Sequence, residues 1–201
     1  MKEWQAKYNN AKYNELYAIF FNLITFLDDF KNSLQIDEFA SYNNLGDLSK
    51  LIVLNEDDDY NVPGVIGMGI KSTVLYNISP HICSIANKNT LYGFYFLSNQ
   101  KDFGLPSKTN EFTMINDLDK KKTQRTNTNY SIDQNYWYPY DLFTLYCLRL
   151  YRKLKLLCMQ YHLTLDDSYR FVHINSFMDQ IWKFNETAIN TMMGGKQDDA
   201  R

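Results

Sequence analysis

Apolar side chains recur at helical spacing from the start of the chain, at Trp4, Tyr8, Leu16, Ile19, Phe20, Leu23, Ile24 and Leu27. The pattern predicts one long helix from Trp4 to about Phe30, with Asp28, Asp29 and Lys31 at its exit. Nearly every position between Tyr17 and Leu27 is apolar, so this stretch is expected in the core, buried on most sides. Ile36 to Tyr42 and Leu48 to Leu54 read as two shorter helices broken by a turn at Asn43, Asn44 and Gly46. Asn89 or Thr90 can cap a segment running to Leu97, whose aromatic density suits a helix or a short strand.

Pro139 fits the first turn of a helix running to about Tyr161, and Asp141 places negative charge at its start. Leu142, Leu145, Tyr146, Leu148, Leu150, Tyr151, Leu154, Leu157 and Met159 supply its broad buried face. The Thr164, Asp166, Asp167, Ser168 cluster ends that pattern, and Tyr169 to Ile174 reads as a short strand or turn. A last helix is predicted from Ser176, capped with Asp179 three residues on and burying Phe177, Ile181, Trp182 and Phe184. No periodicity is sustained from Ser98 to Asn135, although Glu111 to Ile115 suits a short strand.

The expected fold class is therefore mainly α. The chain reads as a single helical domain over 1–186, with a long irregular insertion (short strands allowed within 98–135) and a disordered tail over 187–201. A length of 201 residues is enough for one core and short for two.

Composition narrows the environment. Three cysteines (Cys83, Cys147, Cys158) cannot all pair, and none forms C-x-x-C, which argues against a disulfide framework or zinc ribbon and for a reducing, cytosolic setting. No stretch reaches the roughly 18 uninterrupted apolar residues of a spanning helix, so no membrane partner is expected. The three histidines, His81, His162 and His173, lie far apart with no ligand spacing. No metal or cofactor is expected on that ground, and a pairing of His81 with Cys83 for nucleophilic chemistry is not separable from packing.

Charge is uneven along the chain. From Lys120 to Lys155 eight Lys or Arg face two Asp, a balance of +6, while the whole chain carries −2, so the remainder carries −8. The basic part also holds Asn, Tyr136, Trp137, Tyr138 and Tyr140. Cations there would neutralise phosphates, and rings would stack on unpaired bases for about 1 to 3 kcal/mol each. The same pattern also describes a solvated helix face.

Three of the eight glycines, Gly64, Gly67 and Gly69, fall in V-P-G-V-I-G-M-G-I-K-S-T-V-L over Val62 to Leu75. Glycine lets backbone amides approach a ligand closely. A nucleotide P-loop would need Lys directly after the last glycine; Ile70 intervenes and turns Lys71 by about 100° around the helix. The preceding Glu56 to Asp59 run lacks the alternation of a calcium loop.

Val62, Pro63, Gly64 and Val65, followed by Lys71, Ser72 and Thr73, resemble the helix-hairpin-helix element of DNA glycosylase-like proteins. With Asn77-Ile-Ser-Pro80 and Ile82 to Asn87, the resemblance spans about residues 47 to 97. It implies amides that hold a DNA phosphate. Ile66 makes the turn one residue longer than the usual pattern, and Asn87 lies where the family's catalytic aspartate would be expected. An amide cannot replace a carboxylate as base, so the resemblance implies binding without catalysis.

Taken together, the chain is expected to bind nucleic acid, DNA foremost, through Gly64, Gly67, Gly69, Lys71, Ser72, Lys121, Arg125, Tyr136, Trp137, Arg149, Arg152 and Lys153. An alternative is a protein-interaction or inhibitor module, of the kind carried by phages or mobile elements, with exposed tyrosines and Trp137 as anchors. A further alternative is a glycosylase-derived enzyme or a nucleotide-binding protein.

Overall fold

The computed structural model describes residues 3–34, 50–54, 68–99 and 140–192. Within them lie α1 (Glu3–Asn10), α2 (Tyr13–Ser33), α3 (Met68–Ile78), α4 (Lys88–Leu97), α5 (Tyr140–Gln160) and α6 (Arg170–Met192), with a 3-10 turn at Asp167–Tyr169. No strand occurs among the described residues. The fold is mainly α, as the apolar spacing predicts. The expected helix over Ile36 to Tyr42, the strand near Glu111 and nearly all of the 98–135 insertion lie outside the described residues.

The chain divides into two compact units. One comprises Met1–Asn87 with Pro139–Asn175, the other Lys88–Tyr138 with Ser176–Arg201.

In the first unit the predicted N-terminal helix is two helices. Lys12 is extended (φ −69°, ψ 134°) and starts α2, its carbonyl accepting from Glu15 N and Leu16 N at 3.0 and 3.1 Å. Asn9, Asn10, Ala11 and Lys12 lie between Tyr8 and the start of α2. Asparagine is a poor helix former because its side chain can bond to nearby backbone in non-helical conformations. Ile19, Leu23 and Leu27 are buried, and Ile19 packs with Tyr8, Leu16, Phe20 and Ile70, which joins α1, α2 and α3. Leu51 to Leu54 are not helical as predicted, yet Leu51, Ile52 and Leu54 are buried.

Pro80 disfavours helix at the residue before it, and α3 ends at Ile78. The chain then turns, with Ser79 O accepting from Ile82 N and Cys83 N at 3.0 and 2.9 Å. The segment that follows is buried at Ile82, Cys83, Ser84 and Ala86 without belonging to a helix. Its polar groups are met by neighbours. Tyr140 OH donates to Ser84 O at 2.7 Å, Ser84 and Thr144 share a hydroxyl hydrogen bond at 2.9 Å, and Ala86 N donates to Ser72 Oγ at 3.0 Å. The first half of α5 is accordingly buried almost all round.

The end of α5 differs from its beginning. Leu157 and Met159, predicted to be buried, are exposed together with Leu156, Tyr161 and Leu163. The helix closes on His162 in the left-handed region (φ 59°), with Leu163 N donating to Cys158 O at 2.9 Å and His162 N to Met159 O at 3.1 Å. These two bonds form a Schellman cap around a residue with a Cβ. Beyond it, Asp166 accepts from Ser168 N at 2.8 Å and starts the 3-10 turn. Residues Arg170 to Ile174, expected as strand or turn, form the start of α6. Asp167 accepts from Tyr151 OH at 2.9 Å and Lys155 Nζ at 2.6 Å, tying this turn to α5.

In the second unit Tyr92 of α4 stacks on Trp182 of α6 at 6.2 Å between ring centroids. A Cβ on Gly93 would stand 3.4 Å from Met178 Sδ, an ordinary van der Waals contact, so α4 and α6 pack here at a distance that would admit a small side chain. Phe184, predicted to be buried, is exposed. Helix continues through Met192, past the boundary expected for a disordered tail at 187. Ile189 is buried and gives that last stretch a packing face. Asn185 departs from helical angles (φ −124°, ψ 18°), its Nδ2 donating to Ile181 O at 2.9 Å. A side chain occupying a carbonyl of the preceding turn is a recognised source of such kinks.

His162→Gly removes the Cβ penalty of the left-handed cap, and thermal or urea unfolding should show a stabilisation of about 1 kcal/mol. An unchanged or lowered stability would show that the imidazole contributes more than the strain it carries.

Candidate interaction surface

The residues expected to bind nucleic acid fall into three groups. Gly64, Gly67, Lys121, Arg125, Tyr136 and Trp137 lie outside the described residues. Gly69, Lys71 and Ser72 lie in the first turns of α3, and Arg149, Arg152 and Lys153 lie on α5.

The α3 group is turned inward. Lys71 is 2% exposed and Ser72 0%. Ser72 Oγ accepts from Ala86 N and donates to Gly69 O at 3.3 Å, while Thr73 Oγ1 donates to the same carbonyl at 2.6 Å. Ser72 is thus a structural partner of a buried backbone amide, and neither it nor Lys71 faces a ligand at the surface. Sequence spacing alone could not reveal this, because the amide served belongs to a segment fourteen residues on.

The α5 group remains on the surface. Arg149 and Lys153 are exposed and Arg152 half-buried, at spacings of three and four residues that share one helix face. The Arg149 guanidinium lies 5.5 Å from the centre of the Tyr146 ring, a contact of about 0.5 to 1 kcal/mol at such sites. Lys155 is diverted to Asp167.

A surface that sequence reading missed lies on α2. Tyr13, Tyr17 and Phe21 are 78%, 59% and 56% exposed, and Ile24 continues the row at 40%. The rings stack successively, with centroids 6.3 and 6.1 Å apart and planes inclined by 24° and 19°. Their spacing of four residues puts them on one face, about a third of a turn around the helix from Ile19, Leu23 and Leu27. The signal was present in the sequence as a second apolar stripe, but two stripes on one helix look the same as burial on all sides.

Chemistry at Cys83 and His81 is disfavoured by their surroundings. Burial pushes the Cys83 thiol up to about 12, against a smaller lowering by the Tyr140 hydrogen bond and Lys31. Burial, then Arg170 and Lys31, hold the His81 imidazole below its ordinary value. A reactive thiolate–imidazolium pair needs both shifts reversed. Cys147 is likewise held neutral by complete burial. Among the described residues no group of three or more His, Cys, Asp or Glu is placed to hold a metal, and no helix is long and apolar enough to cross a membrane.

No protein-family model, curated protein or solved structure matches the chain.

Two measurements check these placements. Ser72→Ala leaves the buried Ala86 amide without its partner and should destabilise the fold by about 1 to 3 kcal/mol in urea unfolding; a variant of unchanged stability would return Ser72 to the pool of ligand-binding candidates. With a disulfide reagent near pH 8, the half-buried Cys158 should react in the folded protein and Cys83 and Cys147 only after unfolding. Folding holds the Cys83 pKa above its reference value of 9.0, so this contribution to stability is intact below pH 9 and is lost as pH rises toward about 12.

Proposed function

We propose that the chain is a protein-binding module that engages its partner through the exposed face of α2. The observation that carries this reading is the row Tyr13, Tyr17, Phe21, Ile24. Single exposed apolar residues are ordinary on protein surfaces, but a contiguous aromatic row on a well-formed helix marks an interaction site. Tyrosine and phenylalanine bury large areas with few rotatable bonds, which suits them as anchors in a partner's groove. A separate stripe of α2 is held in the core by Ile19, Leu23 and Leu27, so the row is presented on a fixed support.

A second reading, nucleic-acid binding, is favoured by the exposed Arg149 and Lys153 with Arg152 on α5. The burial of Lys71 and Ser72 removes two of the groups that would have joined them.

Replacing Phe21 by the photo-crosslinking residue p-benzoylphenylalanine in cells tests the first reading. Irradiation should give a discrete protein adduct that resists nuclease and falls roughly tenfold when Tyr17→Lys is added, the loss expected for a hot-spot anchor. An absence of discrete adducts, or adducts with nucleic acid alone, would overturn it. Anisotropy with labelled single- and double-stranded DNA at several salt concentrations tests the second. Affinity should fall with salt and with Arg149→Glu and Lys153→Glu, and binding indifferent to both would sink it.

A further inference from the structure

We infer that the C-terminal end of α5 docks on an anionic membrane surface, the tip from Leu156 to Leu163 entering the lipid interface while Arg149, Arg152 and Lys153 meet the headgroups. This surface is separate from the α2 row, and the inference stands without the reading above. None of the described helices can cross a bilayer. A surface contact needs less, an apolar group at the acyl boundary and cations at the headgroups.

The first half of α5 is buried almost all round, whereas its end is not. Leu156, Leu157, Met159, Tyr161 and Leu163 are each at least half exposed, and Gln160, His162 and Thr164 among them are exposed too. At 100° per residue, Met159, Leu156 and Leu157 spread over about 160° of the helix circumference. A helix that fills a protein groove does so with one stripe of anchors. Here the apolar side chains form a convex cap, continued past the turn at His162 by Leu163, and a fluid interface can close around such a shape.

The cations stand behind the cap on the same side. Arg149, Arg152 and Lys153 all fall within about 60° of Leu156 around the helix, and at 1.5 Å per residue they lie about 5 to 10 Å back along its axis. That offset matches the depth of about 5 to 10 Å to which apolar helix faces enter the headgroup and acyl boundary. With Leu156 at that depth, the three cations come level with lipid phosphates and carboxylates. The nearby acids do not oppose them. Asp167 is paired with Lys155 and accepts from Tyr151 OH, and Tyr151 lies about 160° around α5 from both Arg149 and Lys153. Asp166 accepts from Ser168 N in the same turn. From Leu142 to Tyr169 the four cations Arg149, Arg152, Lys153 and Lys155 outnumber Asp166 and Asp167, a balance of +2.

This pairing of groups selects the occupant. A nucleic acid would use the cations and leave Leu156, Leu157, Met159 and Leu163 in water, because aliphatic side chains offer bases no stacking face. An anionic lipid surface takes up both sets at once, and Tyr161 suits the boundary, with an apolar ring and a hydroxyl that stays wet.

Flotation of the full chain with vesicles of equimolar phosphatidylcholine and phosphatidylserine, and of phosphatidylcholine alone, is the test. The chain should float with the anionic vesicles only, and less so as salt rises. Lys153→Gln should weaken binding roughly fivefold, the loss of one cation at such a surface. Leu156→Ser should weaken it roughly tenfold. Both side chains are exposed, so circular dichroism should stay unchanged. In a Cys158→Ser background, a nitrobenzoxadiazole label on Gln160→Cys should shift to the blue on anionic vesicles and be quenched by lipids spin-labelled near the top of the acyl chain; Cys83 and Cys147 are buried and remain unlabelled. No flotation, equal flotation with neutral vesicles, or flotation indifferent to Leu156→Ser would overturn the proposal. So would a chain that ignores vesicles and binds DNA in a manner weakened by Lys153→Gln, since the cations would then serve nucleic acid.

Discussion

The segment from Ser79 to Ala86 makes one turn closed on Ser79 O and then runs on through the core outside any helix, where several of its buried polar groups are met by groups from other elements. An unpaired buried amide or carbonyl costs about 1 to 3 kcal/mol, so the partners are fixed by necessity. Tyr140 and Thr144 reach Ser84 from α5, Ser72 reaches Ala86 from α3, and Phe171 N at the start of α6 donates to Pro80 O at 3.3 Å. Three helices are thereby tied to one strip of chain. The same arrangement puts Cys83 and Cys147 in surroundings that keep their thiols neutral.

This constraint also decides what α3 can do. A lysine and a serine after a glycine-rich stretch invite a phosphate in sequence, yet Ser72 is already the acceptor that Ala86 requires. A hydroxyl buried to that extent cannot serve a surface ligand without opening the core. Gly69 is no obstacle in itself, since a Cβ placed there would meet nothing within 4 Å. Its carbonyl is nonetheless taken up by Ser72 and Thr73. The polar groups of this turn are spent locally.

The sequence made element type legible where one rule dominated. In α5 the spacing of Leu142, Leu145 and Leu148 together with Asp141 at the start placed both ends within a residue or so. It failed where neighbours distant in sequence decide. The break at Lys12 depends on a short polar interval that a longer apolar pattern overrides on paper. The start of α6 at Arg170 depends on the turn capped by Asp166 and on Asp167 joining Tyr151 and Lys155. The candidate surface was the least legible of all. Apolar residues at Tyr17, Phe21 and Ile24 carry the same letters as core residues, and which stripe is covered depends on where other elements pack.

That ambiguity has a physical counterpart in how α2 can bind. A helix of this length is marginal alone in water, and a partner that had to fold it would lose affinity to ordering. Here Ile19, Leu23 and Leu27 fix the helix from behind, and successive stacking of Tyr13 on Tyr17 and Tyr17 on Phe21 already restricts the rings. Most of the conformational entropy is lost on folding and little remains to be lost on contact, which raises affinity per unit of area buried. A narrow surface can therefore suffice for a specific contact.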